Sequence, residues 1–287
     1  MRAYSLDTVS GPLRLEEIGS GHTLICLHGL GGGAYFFSGL GHRLKDRFRV
    51  VAFDLPGTGR NRVPVPDSAF PTITGLKSFT TFTMRSCVAT LAGLLKSHEP
   101  GTVSVLGHSL GTIIALLAEQ AAPGRLRSMI FVGGLPTVTR TIRERLGARA
   151  ERIRKTGMAG IGAEAVAGIF SRRFLASNPE TVALFASRLE ANQPDEYLGC
   201  LEELLRADAT PALGKINLPC LALTGTEDQY APPEAVIRFG TGLSNPATYL
   251  ELQACGHMPF LENPEAFAQE IGRFLDSVLN PAKPSPR

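Results

Sequence analysis

The sequence predicts an α/β protein built on a mostly parallel sheet with helices packed against both faces. Its first half contains four short apolar runs, at residues 23–29, 48–57, 103–109 and 128–134. Stretches with helical periodicity separate these runs, at residues 34–45, 82–97 and 110–122. Continuous apolar strands that alternate with helices are typical of a parallel sheet covered on both sides.

A helical segment interrupts this alternation before the pattern resumes near the end of the chain, at residues 218–225, 232–240, 248–253 and 264–279. Residues 137–214 contain no convincing strand and indicate several helices, broken near 157–162, at Asn178-Pro179 and at Gln193-Pro194. We therefore expect an α/β core formed by residues 1–136 and 215–287. The segment 137–214 is expected to form a helical cap whose two ends lie close together.

Composition is that of an ordinary globular protein. The 287 residues are 44% hydrophobic and 19% charged, and a formal net charge of +3 gives no reason to expect nucleic acid as a partner. The five cysteines form no Cys-x-x-Cys pair, so neither a zinc site nor a disulfide framework is predicted. We expect no metal and no organic cofactor.

Targeting signals are not evident either. The first 21 residues lack the apolar core of a signal peptide, and no stretch approaches the roughly 20 apolar residues of a membrane helix. Together with unpaired cysteines, this favours a cytoplasmic protein without a membrane partner. The oligomeric state is not indicated by the sequence.

The stretch VSVLGHSLGTIIALL, at 103–117, places one serine where an apolar strand runs directly into a helix. Such a turn forces its central residue into an unfavourable backbone conformation, at a cost of about 1–3 kcal/mol. Glycines at Gly107 and Gly111 would relieve the crowding around Ser109. The turn would lift the Ser109 hydroxyl out at the carboxyl edge of the sheet, as in a nucleophile elbow. A serine that only caps the helix is the alternative.

A serine nucleophile needs a base, and the base needs a carboxylate that orients it. His257 follows the last predicted strand, in a loop where it could reach Ser109. Asp228 follows the strand at 218–225 and is the preferred acid, with Glu227 beside it as the competing assignment. Asp54 is interpreted as a structural residue that organises the following Pro-Gly turn.

Acyl transfer also needs two N–H donors aimed at the developing oxyanion. The backbone N–H of Leu110, directly after the serine, is one candidate. The glycine-rich loop at 28–33 supplies the other, with Leu30 preferred and Gly31 as the alternative. This loop lacks the Lys-Ser/Thr pair of a phosphate-binding loop and the spacing of a dinucleotide-binding loop.

Four motifs, taken together, resemble the α/β-hydrolase family in kind and in order. They are His28-Gly29 with the segment DLPGTG at 54–59, then GHSLG at 107–111, TGTED at 224–228, and Gly256-His257. The order nucleophile, acid, histidine is that of the family. The resemblance implies an eight-stranded, mostly parallel sheet with the cap inserted after the sixth strand. It also implies Ser109, Asp228 and His257 as nucleophile, acid and base.

The identity of the residue at the elbow restricts the reactions that the protein can be expected to catalyse. Haloalkane dehalogenases and epoxide hydrolases resemble this chain but carry aspartate where it has Ser109, and epoxide hydrolases carry proline where it has Gly31. We therefore expect a serine hydrolase that cleaves a carboxylic ester of a small to medium acyl group through an acyl-enzyme. The segment 221–265 resembles the enol-lactonase and small-esterase branch. Alternatives are an enol-lactonase, a carbon–carbon hydrolase, a cofactor-free perhydrolase, or a ligand receptor that has kept the fold.

The substrate pocket is less well defined by sequence. Candidates for its lining are His28, Gly29, Gly31, His108, Phe170, Phe174 and Met258, with Phe185 a further aromatic residue of the cap. The His108 side chain is expected to point away from Ser109. The segment 141–157 carries six basic residues beside an apolar stripe and favours an amphipathic helix with a solvated basic face. The alternative is that one of its arginines reaches the site and favours a carboxylate-bearing substrate.

Overall fold

The computed structural model describes residues 1–8, 11–61 and 82–281, and these residues form one sheet of eight strands. The strands are β1 (Arg2–Thr8), β2 (Gly11–Ile18), β3 (His22–Leu27), β4 (Phe48–Phe53), β5 (Val103–His108), β6 (Leu126–Val132), β7 (Cys220–Gly225) and β8 (Thr248–Leu252). Their order in the sheet is β1-β2-β4-β3-β5-β6-β7-β8. The pairs β1–β2 and β2–β4 are antiparallel and the other five pairs are parallel, so the prediction of a mostly parallel α/β sheet is confirmed.

Eleven α-helices are present in the described part of the chain. They are α1 (Ser38–Leu44), α2 (Met84–Lys96), α3 (Leu110–Ala121), α4 (Arg140–Thr156), α5 (Ile161–Ile169), α6 (Arg172–Ser177), α7 (Pro179–Glu190), α8 (Pro194–Arg206), α9 (Pro233–Thr241), α10 (Pro259–Glu262) and α11 (Pro264–Leu279). Among these residues, no helix combines the length and the apolar character needed to cross a membrane.

Alternation along the central strands divides the core into two layers, one on each face of the sheet. On β3, Ile25 and Leu27 face the layer that holds α2 and α3, whereas Leu24 and Cys26 face the layer that holds α1 and α11. Strands β5 and β6 alternate in the same way, and all these side chains are buried. Burial on both faces explains why these strands appear as continuous apolar runs in the sequence.

Element bounds differ from the sequence prediction mainly at strand and helix ends. The segment predicted as one helix over 34–45 is a 3-10 turn at Ala34–Phe37 followed by α1. Strand β6 spans Leu126–Val132 rather than 128–134. It ends at Val132 because Gly133 adopts a φ of +52° and leaves the extended conformation. Part of the predicted run at 48–57 continues as a turn after β4 ends at Phe53.

The five helices α4 to α8 lie between β6 and β7, and we call them the inserted helices. The chain enters and leaves them at adjacent points. Thr137 forms an isolated antiparallel bridge with Asp208, and its hydroxyl donates to the Ala207 carbonyl at 3.0 Å. The Ala209 N–H donates to the Pro136 carbonyl at 2.8 Å. The division of the chain at 137 and 214 into core and cap stays a prediction.

The parallel strands bring their carboxyl ends to one edge of the sheet. Chain segments that follow β3, β5, β6, β7 and β8 therefore meet there, although they are up to about 230 positions apart in the sequence. These segments carry the serine, aspartate and histidine candidates.

Candidate active site

Ser109 occupies a strained turn between β5 and α3. Its backbone has φ +52° and ψ −115°, a conformation that a residue with a side chain rarely adopts. A Cβ added at Gly107 would lie 2.5 Å from the Gly111 carbonyl oxygen, and one added at Gly111 would lie 2.5 Å from the Leu27 carbonyl oxygen. Both contacts are too short for real atoms, so this turn requires both glycines.

Asp228 and His257 form a close, buried pair. The Nδ1 of His257 lies 3.0 Å from Oδ1 and 2.9 Å from Oδ2 of Asp228, and the two residues are 6% and 3% exposed. The Asp228 carboxylate also accepts hydrogen bonds from the backbone N–H groups of Tyr230 and Ala231, at 2.8 and 2.9 Å, and from the Thr224 hydroxyl at 3.2 Å. Because the carboxylate can only accept, His257 carries its proton on Nδ1 and leaves Nε2 as a free base.

Glu227 makes different contacts. Its Oε2 accepts the backbone N–H of Arg172 at 3.0 Å and lies 3.3 Å from the Nε of the exposed Arg172 side chain. The structure thus brings Asp228, and not Glu227, against the imidazole of His257.

Ser109 and His257 line one cavity of about 50 Å³ beneath the inserted helices, which we call the main cavity because it holds both residues. Its wall is mostly apolar, with a few polar groups, and comprises Leu30, Phe36, His108, Ser109, Leu146, Arg149, Ile169, Phe185, Leu189, Tyr197, Leu204, Tyr230, His257 and Met258. A second space of about 40 Å³ also touches Ser109 and His257 and is lined mainly by aliphatic side chains. Both spaces reach the serine and the imidazole.

Two backbone segments carry the predicted oxyanion donors. Helix α3 begins at Leu110, so the N–H of Leu110 belongs to the first turn of the helix, whose amides have no partner within the helix. Leu30 lines the main cavity from the glycine-rich loop, where the Gly32 N–H donates to the Gly29 carbonyl at 3.1 Å and tightens the turn. Gly31 lies on the same turn and remains the alternative donor.

The pocket candidates divide into three groups. Met258 and His108 line the main cavity, as does Phe185. His28, Gly29 and Gly31 line a neighbouring space of about 10 Å³ instead. Phe170 and Phe174 line neither space; their rings lie 4.9 Å apart and pack in the core layer that contains α1 and α11.

His108 does not point away from the site, contrary to the expectation from its sequence position. Its ring centroid lies 4.9 Å from that of His257, and its Nε2 is 3.0 Å from the His257 carbonyl oxygen. That oxygen can only accept, so Nε2 carries the proton. Burial, and secondarily repulsion from a charged His257, lowers the pKa of His108 well below its ordinary value. His108 is therefore a neutral residue in the wall of the cavity.

His28 supports the glycine-rich loop from behind. Its Nε2 accepts the Leu55 N–H at 2.9 Å, and its Nδ1 donates to the Gly29 carbonyl at 2.8 Å. Burial lowers the pKa of His28 from its ordinary value, so the ring stays neutral. Asp54 accepts the Ala34 N–H at 2.8 Å and the Arg60 N–H at 2.9 Å, which fixes the neighbouring turn.

Bonds to the inserted helices hold the loop of His257. The His257 N–H donates to the Ile169 carbonyl at 2.6 Å. Glu262 accepts backbone N–H groups from Ser171 at 2.9 Å and from Gly256 at 2.8 Å. The segment between α5 and α6 is thus attached directly to the loop that carries the imidazole.

Arg149 lies in the cavity wall, and it is one of the arginines at 141–157 for which the sequence analysis kept a position in the site as the alternative. It is 3% exposed, and its guanidinium donates to the hydroxyls of Tyr197 at 3.3 Å and Tyr230 at 3.0 Å. Tyr230 also places its ring 5.0 Å from that of His257. A signal was present: Arg149 continues the spacing of Ile142, Leu146 and Ile153, the stripe that α4 buries.

Within the described residues, no group of three or more histidine, cysteine, aspartate or glutamate side chains could hold a metal ion. The five cysteines are all buried and unpaired.

The sequence is similar to known proteins along most of its length. The model of the alpha/beta hydrolase fold family matches residues 22–264. A curated relative, the pimeloyl-[acyl-carrier protein] methyl ester esterase of Methylococcus capsulatus, is 29% identical and covers 92% of this chain and 99% of its own.

Solved structures show the same fold. An esterase from Thermogutta terrifontis superposes with a TM-score of 0.81 at 23% identity, covering 97% of this chain and 99% of its own. The enol-lactonase from Burkholderia xenovorans LB400 gives a TM-score of 0.80 at 18% identity, covering 95% and 99%. The order of motifs, the sheet topology and the family match agree, and the chain belongs to the α/β-hydrolase fold family.

Proposed function

We propose that the protein is a serine hydrolase that cleaves a carboxylic ester of a small to medium acyl group through an acyl-enzyme. One observation carries the proposal: Ser109, on a strained turn, shares a cavity with His257, whose Nδ1 is held by Asp228. A hydroxyl, an imidazole and a carboxylate in this order are the parts that nucleophilic acyl transfer needs. The pimeloyl relative named above is itself an ester hydrolase.

In the first half-reaction, the Ser109 Oγ attacks the ester carbonyl carbon while the Nε2 of His257 takes its proton. The resulting imidazolium is stabilised by Asp228. The negative charge on the carbonyl oxygen is held by the backbone N–H groups of Leu110 and Leu30. The intermediate collapses as His257 returns the proton to the departing alcohol oxygen, which leaves the acyl group on Ser109.

In the second half-reaction, water replaces the alcohol. The water oxygen attacks the acyl carbon while His257 takes a proton from the water. The same two N–H groups stabilise the oxyanion. The proton then returns to Ser109, and the carboxylic acid leaves. No metal or organic cofactor takes part in this sequence.

Residues 137–214 serve as the cap in this proposal. They supply much of the cavity wall, including Leu146, Phe185, Leu189 and Leu204. The cavity of about 50 Å³ lies below the roughly 300–1,000 Å³ typical of small-molecule sites. Substrate entry therefore requires side chains of the cap to move, and a small acyl group is favoured.

Ser109→Ala tests the proposal directly. We expect kcat for a 4-nitrophenyl ester to fall by roughly 10⁴–10⁶-fold. A fluorophosphonate should add to the wild-type protein with a single mass increment, which peptide mapping assigns to Ser109, and should leave the variant unlabelled. Wild-type protein unfolded by heat is the control for adventitious labelling. Near-normal turnover by Ser109→Ala would overturn the assignment.

An enol-lactone is the second candidate substrate, because the chain is 23% identical, over 79% of its length, to 3-oxoadipate enol-lactonase 2 of Acinetobacter baylyi. The same acyl-enzyme chemistry opens a lactone. A panel of lactones beside a chain-length series of 4-nitrophenyl esters separates the two: lactone kcat/KM far above every simple ester favours the lactonase. Very slow single turnover with tight product retention would favour a ligand receptor.

A further inference from the structure

Arg149 differs from the other arginines of α4 in its burial. Its side chain is 3% exposed, whereas those of Arg140, Arg152 and Arg154 are 93%, 42% and 43% exposed. An arginine is charged at every accessible pH, and burial of a charge is costly unless something compensates it. The position of Arg149 in the wall of the main cavity therefore calls for a partner.

Protein carboxylates compensate only part of the positive charge around Arg149. Glu164 lies 3.1 Å from the Nε of Arg149 and 2.9 Å from an Nη of Arg152. One carboxylate shared by two guanidinium groups leaves one positive charge in excess, which Arg149 shares with the 42% exposed Arg152. The guanidinium of Arg145 adds a further cation, 4.9 Å from the centre of the Tyr230 ring.

The polar groups around Arg149 are also donors. Three of its five N–H groups are used, by Glu164, Tyr197 and Tyr230. Both phenol oxygens accept from Arg149, so each hydroxyl keeps its own hydrogen. Across the described residues, neither hydroxyl donates to a protein acceptor. Burial raises the pKa of Tyr197, against the opposing influence of Arg149, so this hydroxyl stays protonated.

We propose that Arg149, Tyr197 and Tyr230 form an anion subsite that binds a free carboxylate of the ester substrate. The excess positive charge and the set of donors both fit a carboxylate, which accepts two parallel N–H bonds from a guanidinium. All three residues line the cavity that contains Ser109 and His257, so the carboxylate and the scissile ester belong to one molecule. This inference rests on the proposed ester hydrolysis.

Matched pairs of esters test the subsite. Mono-(4-nitrophenyl) glutarate carries a carboxylate on its acyl part, and 4-nitrophenyl pentanoate is its neutral counterpart. The pair 4-acetoxybenzoate and methyl 4-acetoxybenzoate places the charge on the alcohol part. We expect the wild type to favour the anionic member of at least one pair in kcat/KM by about 10- to 100-fold, the range of a charge-assisted hydrogen bond. No preference in either pair would overturn the subsite.

Arg149→Met should remove this preference, because it retains a long apolar side chain and loses the charge. Arg140→Met is the matched control, since it removes the same charge from an exposed position of the same helix. It should keep the wild-type ratio. If both variants lose the preference equally, the effect comes from the overall charge of α4, and the subsite is wrong.

Two further measurements keep the test decisive if Arg149→Met does not fold. Tyr197→Phe removes only a hydroxyl and should lower the anionic-to-neutral ratio by about 3- to 10-fold. Calorimetry with folded Ser109→Ala should show glutarate binding at least about 10-fold more tightly than glutaramide, its uncharged diamide. Equal binding of the anion and the neutral diamide would contradict the subsite without involving turnover.

The outcomes also separate this inference from the proposed function. Ser109-dependent hydrolysis of neutral esters, with no anion preference and no tighter glutarate binding, refutes the subsite and leaves the hydrolase intact. Selective glutarate binding without hydrolysis of any ester supports the subsite and refutes the hydrolase.

Discussion

Both carboxylate oxygens of Asp228 lie within hydrogen-bond distance of the Nδ1 of His257, at 3.0 and 2.9 Å. The carboxylate is itself held by the Tyr230 and Ala231 N–H groups and by the Thr224 hydroxyl. The aspartate thus fixes both the orientation and the tautomer of the imidazole, and it leaves Nε2 as the nitrogen available to Ser109.

Asp228→Asn should separate the tautomer effect from packing. An amide of the same shape can donate to Nδ1 and so favours the wrong tautomer, for which we expect kcat to fall by about 10⁴-fold. Glu227→Gln is the matched control: its partner Arg172 is exposed, so it should change stability by under about 1 kcal/mol and leave kcat unchanged. Steady-state kinetics with a 4-nitrophenyl ester measure kcat for both variants. A larger loss of kcat in Glu227→Gln than in Asp228→Asn would reverse the assignment of the acid.

Gly133→Ala should damage the site from the neighbouring strand end. An added Cβ would lie 2.9 Å from Oδ2 of Asp228 and 2.9 Å from Nδ1 of His257, so one of the pair must move. We expect kcat to fall by about 100-fold or more, the effect of a misplacement of about 1 Å. Gly101→Ala is the control, because its φ of +75° carries comparable backbone strain but nothing lies within 4 Å of the added Cβ. Equal losses in both variants would mean that strain alone is responsible.

His28 should make the fold less stable in mild acid. Burial lowers the pKa of His28 in the folded state. Below its unfolded pKa of 6.5, the unfolded chain therefore binds a proton that the folded chain does not bind. Stability from this group is complete above pH 6.5 and is lost as pH falls toward the folded pKa. Protonation of Nε2 would also forfeit the bond from the Leu55 N–H.

Urea unfolding of the wild type and of His28→Asn between pH 7.5 and 5 measures this effect. The wild-type free energy of unfolding should fall more steeply, by up to about 1.4 kcal/mol per pH unit for the one proton. Other buried histidines contribute equally to both proteins, so the difference in slope belongs to His28. Parallel curves would show that His28 is protonated without penalty.

Leu189→Ala should widen the range of acyl groups. Leu189 is 4% exposed and lines the main cavity from α7. Its truncation enlarges the cavity and costs about 2–5 kcal/mol of stability. We expect the ratio of kcat/KM for the hexanoyl over the acetyl 4-nitrophenyl ester to rise by about 10-fold, the value of one or two methylenes in an apolar pocket. Leu184→Ala, on the same helix but 56% exposed, should leave the ratio unchanged.

Local sequence signals predicted those parts of the fold that one segment determines by itself. Helix α11 begins and ends where its periodicity does, at 264 and 279, and the strand before Ser109 ends at the glycine-flanked turn. The antiparallel edge of the sheet was not recognised. Strand β1 carries Arg2, Ser5 and Asp7 among its seven residues and therefore lacks the apolar run of a central strand.

Pocket residues were harder to predict because their roles depend on which helices meet. Phe170 and Phe174 are aromatic and lie between β6 and β7, yet they pack against each other in the core. The preferred interpretation of 141–157 is a solvated basic face, whereas Arg149 lies on the buried stripe of α4, in line with the alternative that one arginine reaches the site. Spacing alone gives the face of a helix that is buried, but not whether that face meets apolar side chains or a cavity.

The hydrogen bonds that join Ile169 and Ser171 to the loop of His257 and to Glu262 restrict which inserted segments can be exchanged without disturbing the imidazole. A chimera that replaced the whole insertion with one from a distant homologue would keep the acceptor of the His257 N–H and the Ser171 donor to Glu262 only if its backbone followed the same path at these positions. Retaining 169–171 as a fixed junction, and exchanging only the helices around it, would let specificity vary while the imidazole keeps its support.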